Sequence, residues 1–202
     1  MYKYFLRTIT FVTLTFCLIF CFSACSPEYK NPHFEIRTRL GVIEIEVFPD
    51  KAPQTTKAFL SYIDSGYFTN SSFYRILNMD NQPSDAPKSE LIQGGIYRSK
   101  NKKNIDPPGI PHETTQQTGI LHKDGTISLA RLAPGTASTE FFICVGDQPG
   151  FDFGGQNNAD GQGYSAFGHV VKGYEIVRKI YNQREDNQYF DPPVEIYSIK
   201  RL

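Results

Sequence analysis

Side chains that commonly perform chemistry occur throughout this chain of 202 residues, but most lack the spacing that common catalytic centres use. The four histidines, His33, His112, His122 and His169, do not have the spacing of zinc ligands. No Gly-x-Ser-x-Gly motif is present, so hydrolase chemistry of that type has no support. We therefore expect neither a metal site nor a serine nucleophile.

A glycine-rich polar stretch, residues 151–161, contains two short patterns that suggest other activities. Residues 152–154 (Asp-Phe-Gly) copy a kinase tripeptide, but no phosphate-binding glycine-rich loop accompanies them. Residues 156–167 echo a calcium loop, yet the first position is Gln156 rather than Asp and the twelfth is Phe167 rather than Glu. A polar turn is the better interpretation of this stretch.

Three segments that combine glycines, aromatic residues and an arginine follow one another in a specific order. They are residues 66–68 (Gly-Tyr-Phe) with 72–76 (Ser-Phe-Tyr-Arg-Ile), residues 91–95 (Leu-Ile-Gln-Gly-Gly), and residues 125–131 (Gly-Thr-Ile-Ser-Leu-Ala-Arg) running into 139–143 (Thr-Glu-Phe-Phe-Ile). Residues 164–170 (Tyr-Ser-Ala-Phe-Gly-His-Val) continue the pattern. In this order the segments resemble the cyclophilin family, and the resemblance spans about residues 34–202.

The resemblance implies a peptidyl-prolyl cis–trans isomerase that acts on proline-containing polypeptides and uses no cofactor. It implies that Arg75 is the catalytic residue and that Gln93 orients the substrate. The family's apolar proline pocket falls on Leu91, Phe142 and Phe151. Its substrate-binding strand edge falls on Ala130 and Arg131, and a further aromatic position falls on Tyr164.

The expected chemistry explains why an arginine and an apolar pocket belong together. Rotation about an Xaa–Pro bond breaks amide resonance, with a barrier of ~18–20 kcal/mol. In the twisted transition state the prolyl nitrogen regains a lone pair and accepts a hydrogen bond. A guanidinium stays charged and presents a rigid fork of donors. Because the lone pair becomes available only when the amide twists, the guanidinium interacts more strongly with the twisted transition state than with the planar amide. Dry, apolar surroundings strengthen the interaction.

Taken singly, the same residues have plainer interpretations. Arg75 alone would be a surface arginine in a loose ion pair, and residues 93–95 (Gln-Gly-Gly) would be a turn with permissive glycines. Phe142 alone would be a core residue of a buried strand. Alternation along that strand puts Phe141 and Phe142 on opposite faces, so one can fill the core while the other lines a groove.

The chain departs from the family pattern next to the catalytic position. Seventeen residues separate Arg75 from Gln93, more than is usual, and the extra residues 78–89 are polar and proline-rich. They predict an exposed loop, which could also supply an apolar substitute for the pocket. Glu90 falls where the family has a pocket phenylalanine, and it could point outward or pair with Arg75. These departures motivate an alternative function, a proline-peptide-binding module without turnover.

Alternating side chains and glycine turns predict a mainly β domain. Residues 34–40 and 42–47 alternate apolar with charged side chains on either side of Gly41, which predicts two adjacent antiparallel strands. Pro53 opens a helix whose C-terminal cap falls at Gly66. Further strands are predicted at residues 72–77, 91–93, 126–130, 141–145, 165–170 and 194–201, with a second helix at residues 174–181. About eight strands with short connections predict a closed antiparallel β-barrel capped by two α-helices.

The first 24 residues have the composition of an export signal. Lys3 and Arg7 precede an apolar run at residues 9–22, and small residues follow it. A retained membrane helix is the alternative, since the uncharged stretch is about the lower limit for spanning a bilayer. We expect a cleaved signal at residues 1–24.

Residues 22–25 (Phe-Ser-Ala-Cys) resemble the bacterial lipobox, with Phe where Leu is usual. The resemblance implies that Cys25 becomes the lipidated first residue of the mature protein. The polar residues 25–32, which include two prolines, suit a tether to a domain at residues 33–202. We expect an exported monomer anchored in the cell envelope, at the periplasm-facing or outer membrane.

Removal of the signal changes both the cysteine count and the charge. It would remove Cys17 and Cys21 and leave Cys144 beside the lipidated Cys25, so no intrachain disulfide is expected. It would also leave 19 basic and 21 acidic residues. The sequence has no basic patch of the kind that a nucleic-acid binder needs.

Overall fold

Eight antiparallel strands close into a barrel within residues 29–99 and 105–202, the part of the chain that this computed structural model describes. The eight are β1 His33–Thr38, β2 Gly41–Val47, β3 Ser71–Leu77, β4 Leu91–Gly95, β5 Thr126–Leu129, β6 Phe141–Cys144, β7 Ser165–Lys172 and β9 Tyr189–Arg201, and a ninth strand of two residues, β8 Glu185–Asp186, lies outside the ring. Around the barrel the order is β1-β2-β7-β5-β6-β4-β3-β9, and β9 pairs with β1 to close the ring, while β8 pairs only with β9. The predicted eight-stranded closed barrel is confirmed.

The first hairpin follows the predicted alternation. β1 and β2 pair antiparallel with Thr38 opposite Gly41. Phe34 and Ile36 are buried, whereas Arg37 is exposed. Gly41 has a φ of 140°, and a side chain there would place its Cβ 2.5 Å from Ile176 Cδ1. The glycine therefore serves both the turn and the close approach of a helix.

Three helices lie against the barrel in the described residues: α1 Pro53–Asp64, α2 Thr115–Thr118 and α3 Tyr174–Tyr181. α1 begins at Pro53, as predicted; its C-cap is Ser65, one residue before the expected Gly66, which follows with a φ of 71°. α1 packs against β7, and α3 packs against β2 and β4. Both predicted helices are confirmed, and the short α2 is an addition to them.

Helix α2 was not predicted, because four residues are too few to show a helical periodicity in the sequence. A capping box stabilises it instead. The Thr114 hydroxyl accepts a hydrogen bond from the Gln117 backbone N–H, and the Gln117 side chain accepts one from the Thr114 N–H at 2.8 Å. Gly119 ends the turn with a φ of 68°.

Aromatic rings fill the barrel beneath α1. Phe59 is fully buried, and its ring centroid lies 4.9 Å from that of Phe167, 5.4 Å from Phe68 and 5.9 Å from Phe141. Phe73 adds an edge contact to Phe141 at 5.7 Å. Ring pairs in such tilted and edge geometries are stabilised beyond their burial alone.

A buried arginine ties the connection between β6 and β7 to the barrel. The Arg131 side chain is 1% exposed and donates two hydrogen bonds to the Asp160 carboxylate, at 2.7 and 2.9 Å. Its Nε donates to the Gly163 carbonyl at 2.9 Å. The hydrogen bonds from Arg131 lower the pKa of Asp160 to about 2. Asp160 thus fixes the loop through an ion pair within the protein.

The predicted signal at residues 1–24 and the lipidation site Cys25 lie outside the described residues. The barrel belongs to one compact unit, Asn31–Leu202. Among the described residues no helix combines the length and apolar character needed to cross a membrane. The export signal and the anchor remain predictions.

Replacing Phe59 by alanine should strongly destabilise the barrel, because the ring contacts three other buried rings. We expect the free energy of unfolding, measured by urea denaturation, to fall by about 3–5 kcal/mol. Leu132, which is 93% exposed, provides the control. Leu132→Ala should change the same quantity by less than about 0.5 kcal/mol, and equal losses in the two variants would contradict this account of the core.

The ion pair of Asp160 predicts a pH-dependent stability difference. A carboxylate with a lowered folded pKa stabilises the protein above its unfolded pKa, and this contribution disappears as the pH falls through the folded value. With a folded pKa of about 2, wild type should exceed Asp160→Asn in stability at pH 5 to 7, with the difference vanishing near pH 2. Urea denaturation across this range measures it. A pH-independent difference would show that the ion pair is not its source.

Candidate active site

Three predicted site residues lie in one row across neighbouring strands. Arg75 of β3 is opposite Gln93 of β4, and Gln93 is opposite Phe142 of β6. In the parallel row two residues further along, Leu91 lies between Leu77 and Cys144. Because side chains two apart on a strand share a face, both rows project from the barrel on the same side.

Hydrogen bonds to two glutamines fix the guanidinium of Arg75. Its Nη1 donates to Gln93 Oε1 at 3.2 Å, and its Nη2 donates to Gln188 Oε1 at 2.8 Å. Gln188 comes from the turn between β8 and β9, far along the chain. The surface arginine with a loose ion pair, which was the plainer interpretation of Arg75, is not what the structure shows.

Tyr74 fixes the orientation of the Gln93 side chain, and Glu140 lies near Tyr74. The Gln93 amide nitrogen donates to the Tyr74 hydroxyl at 2.7 Å, and the Glu140 carboxylate lies close enough to Tyr74 to affect its ionisation. Burial, followed by the nearby Glu140 carboxylate, raises the pKa of Tyr74 far above its ordinary value. Tyr74 therefore stays a neutral hydroxyl and keeps the Gln93 oxygen turned towards Arg75.

The two glycines after Gln93 belong to β4, so the interpretation of residues 93–95 as a turn is wrong. A side chain at Gly94 would place its Cβ 2.9 Å from the Phe73 ring. One at Gly95, where φ is 143°, would place it 2.5 Å from the Glu140 carboxylate. The glycines allow the Phe73 ring and the Glu140 carboxylate to approach β4 closely.

A second apolar cluster, separate from the barrel core, lies beside Arg75. Its buried members are Leu91, Phe142, Cys144 and Phe151, and the partly buried Leu77, Ala130 and Tyr164 pack against it. Phe141 on the neighbouring position of β6 belongs to the barrel core instead. The expected division of the two phenylalanines between opposite faces is confirmed.

Three aromatic rings form the wall of this cluster. The centroids of Phe142, Phe151 and Tyr164 lie 5.1 to 5.3 Å apart, and all three pairs meet edge to face. Phe151 comes from a 3₁₀ turn, Pro149–Phe151, directly after β6. The guanidinium of Arg131 lies 5.4 Å over the Tyr164 ring, which links the wall to the loop ion pair.

A buried histidine packs against Phe142. The His122 ring is stacked on Phe142 at 6.0 Å, with Nδ1 2.8 Å from Asp152 Oδ1 and Nε2 3.0 Å from Ser128 Oγ. The order Asp-His-Ser copies the hydrogen bonding of a hydrolase triad. However, Ser128 is fully buried, so its hydroxyl cannot meet a substrate. The arrangement stiffens the aromatic wall.

One groove of about 490 Å³ brings all the predicted site residues of the barrel domain together. Those residues are Arg75, Leu91, Gln93, Ala130, Arg131, Phe142, Phe151 and Tyr164. The described residues that sequence analysis did not assign to this groove are Tyr74, Leu77, Tyr97, Leu132, Thr136, Ser138, Glu140, Gln188 and Tyr189. Leu77 could have been found from its period-two spacing to Arg75, whereas Gln188 carries no local signal.

Glu90 adopts neither of the two arrangements expected for it. Its Oε1 accepts a hydrogen bond from the Tyr181 hydroxyl of α3 at 2.5 Å. Burial and this carboxylate raise the pKa of Tyr181. Glu90 immediately precedes β4, and its carbonyl accepts from the Val145 N–H at 3.0 Å. The strand alternation therefore continues to Glu90, whose side chain points to the face opposite Leu91. The carboxylate therefore lies away from Arg75.

The insertion at residues 78–89 folds around Gln82. The Gln82 amide nitrogen donates to the carbonyls of Asn78 and Ser89, at 2.6 and 2.8 Å, and its oxygen accepts from the Ser89 N–H at 3.2 Å. None of the residues of the insertion, all of which are described, lines the groove. Leu77, which precedes the insertion, lines the groove and packs against its apolar cluster.

Ala130 and Arg131 line the groove, but most of their polar groups have partners. The Ala130 N–H donates to the Glu140 carbonyl at 2.9 Å, and the Arg131 guanidinium is committed to Asp160 and Gly163. A substrate backbone at this edge would therefore meet the carbonyl side of Ala130. No cluster of three potential metal ligands occurs among residues 29–99 and 105–202.

Comparison with known proteins identifies the family of this chain. The family model for cyclophilin type peptidyl-prolyl cis-trans isomerases matches residues 33–201. Peptidyl-prolyl cis-trans isomerase B of Escherichia coli is 35% identical over 144 residues, which cover 71% of this chain and 80% of that protein. A peptidyl-prolyl cis-trans isomerase of Acinetobacter baylyi is 33% identical over 153 residues, which cover 75% and 73%.

A solved structure extends the comparison to the fold. The crystal structure of a cyclophilin type isomerase from Cryptosporidium parvum superimposes with a TM-score of 0.65 at 22% identity, covering 85% of this chain and 98% of that one. On the family match and the two bacterial relatives, this chain belongs to the cyclophilin-type peptidyl-prolyl cis–trans isomerases.

Proposed function

We propose that this cyclophilin-type isomerase accelerates the rotation of Xaa–Pro bonds in exported proteins, with Arg75 donating to the prolyl nitrogen of the twisted amide. The observation that carries the proposal is the row of Arg75, Gln93 and Phe142, which places a fixed cation beside an apolar cluster. The ring of a bound proline would contact Leu91, Phe142 and Phe151, and its amide nitrogen would then face Arg75.

The partners of Arg75 position its charge without neutralising it. Both hydrogen-bond acceptors are neutral amide oxygens, from Gln93 and Gln188. None of the ion pairs within residues 29–99 and 105–202 involves Arg75. The full positive charge therefore remains available to a nitrogen that becomes an acceptor only in the transition state, which is the differential binding that catalysis requires.

The hydrogen bond from Arg75 would supply only part of the rate enhancement. A 10⁵-fold acceleration corresponds to about 7 kcal/mol, whereas a hydrogen bond to a charged group contributes about 1.5–3 kcal/mol. Contacts of the proline ring with the aromatic wall, and of the substrate backbone with the edge at Ala130, would supply the rest.

Two lines of support bear on the substrate and location. A second structure of the Cryptosporidium parvum isomerase, with a TM-score of 0.62 and 22% identity, was determined in the presence of the dipeptide Ala-Pro. The basic and apolar N-terminal residues and Cys25 support export and lipid anchoring, so the proposed substrates are exported, proline-containing polypeptides met by a monomer in the cell envelope.

The alternative function, a binding module without turnover, was suggested by Glu90 and by the insertion at residues 78–89. The contacts of these residues do not favour it. Glu90 is hydrogen-bonded to Tyr181, and the insertion does not line the groove. No other feature of the described residues favours binding without catalysis.

Removal of the guanidinium should abolish most of the turnover while leaving peptide binding. We expect Arg75→Ala to slow isomerisation of an Ala-Pro peptide, measured by NMR exchange between its cis and trans signals, by about 100-fold or more. Arg37→Ala, at a side chain that is 58% exposed, is the matched control and should match wild type. Equal rates for wild type and Arg75→Ala would refute the mechanism. Peptide binding by a wild type without exchange would restore the binding-module alternative.

Mass spectrometry of the mature amino terminus tests the proposed anchor. Expressed in a bacterium with a lipoprotein-processing pathway, the chain should begin at Cys25 and carry acyl groups, and Cys25→Ser should abolish both processing and acylation. An unmodified Cys25 in the wild-type protein, or a chain that still begins at Met1, would show that the anchor is absent.

A further inference from the structure

We propose that Gln188 is a positioning residue, which together with Gln93 fixes the guanidinium of Arg75 and couples it to the insertion at residues 78–89. The inference rests on the proposed catalytic role of Arg75. Gln188 lies in the turn between β8 and β9 and lines the same groove. It is thus brought to the site by tertiary structure rather than by the strand register that aligns Arg75 with Gln93.

Two fixed acceptors define the plane of the guanidinium. Gln93 accepts from Nη1 of Arg75 and Gln188 accepts from Nη2, so the two terminal nitrogens are held separately. With only one acceptor the guanidinium could still rotate about that hydrogen bond. The second acceptor removes this freedom and leaves the remaining N–H groups in a constant direction.

The insertion orients the Gln188 amide. Its oxygen accepts from Arg75 at 2.8 Å, and its nitrogen donates to the backbone carbonyl of Asn81 at 3.0 Å. A reversed amide would set donor against donor at Arg75 and acceptor against acceptor at Asn81. The Asn81 carbonyl therefore keeps the oxygen of Gln188 turned towards the guanidinium.

The turn that carries Gln188 is anchored beside Arg75. The Gln188 N–H donates to Glu185 Oε2 at 2.8 Å, and its carbonyl accepts from the Ile76 N–H at 2.9 Å. Tyr189, the next residue, is paired with Arg75 in the sheet. The side chain of Gln188 therefore starts from a backbone that is already fixed to β3.

The backbone conformation of Gln188 is unfavourable for its residue type. Asn187 and Gln188 have φ values of 55° and 73°, so both central residues of this two-residue hairpin turn are left-handed. Asparagine adopts this conformation readily, but the second position of such a turn favours glycine. A long side chain kept there at a conformational cost indicates a use outside the turn, and its contact with Arg75 is that use.

This arrangement separates the role of Gln188 in the turn from its role at Arg75, and two glycine substitutions exploit the difference. Gln188→Gly should ease the turn but remove the acceptor at Nη2, whereas Asn187→Gly alters the same turn without touching Arg75. We expect Gln188→Gly to lower the turnover of a saturating Ala-Pro peptide about tenfold, with its dissociation constant changed less than twofold. Asn187→Gly should retain wild-type turnover, and both variants should melt within about 2 °C of wild type or above it.

Side-chain NMR relaxation of the Arg75 guanidinium gives a second readout, independent of catalysis. In Gln188→Gly the guanidinium should become more mobile, and in Asn187→Gly it should stay as rigid as in wild type. Unchanged turnover and unchanged rigidity in Gln188→Gly would overturn the inference. An equal loss of turnover in Asn187→Gly, or a loss in Gln188→Gly that weaker peptide binding explains, would also overturn it. If Arg75→Ala itself isomerises like wild type, the proposed mechanism fails, and the relaxation measurement still decides whether Gln188 positions Arg75.

Discussion

The site depends on the register of three neighbouring strands. Because Arg75, Gln93 and Phe142 lie directly opposite one another on β3, β4 and β6, a cation, an amide and an aromatic ring face the same groove. A slip of one residue in any pair would turn one of these side chains into the barrel. The barrel core opposes such a slip, since Ile92 and Phe141 would have to leave it. The packing that stabilises the fold thus also aligns the site.

The surroundings of Arg75 fix the direction of its guanidinium through neutral hydrogen-bond acceptors. A carboxylate partner would hold the guanidinium more strongly, but it would also cancel the charge that the proposed mechanism requires. Here the two nearby carboxylates, Glu140 and Glu90, are not the acceptors for the Arg75 guanidinium. Glu140 acts on Gln93 through Tyr74, and Glu90 is engaged by Tyr181. Within the described residues both side-chain acceptors of the Arg75 guanidinium are neutral amides, so its orientation is fixed without neutralising its charge.

Much of the fold and part of the site could be predicted because their signals are local. Alternation gave the strands and assigned Phe141 and Phe142 to opposite faces, and the family resemblance identified residues that the barrel brings into one groove. What could not be predicted depends on contacts between distant segments. The partner of Glu90 comes from α3, and the second acceptor for Arg75 comes from a turn 113 residues away. No periodicity or motif in one segment encodes such pairs.

The insertion illustrates why a departure from a family pattern must be judged by its hydrogen bonds. A polar loop beside a groove would ordinarily be mobile and would add water to a site that benefits from dryness. Here Gln82 satisfies the carbonyls of Asn78 and Ser89, so the loop has internal hydrogen bonds of its own. That order fixes the neighbouring Asn81 carbonyl, which in turn orients Gln188. The inserted residues therefore support the orientation of Arg75 from outside the groove.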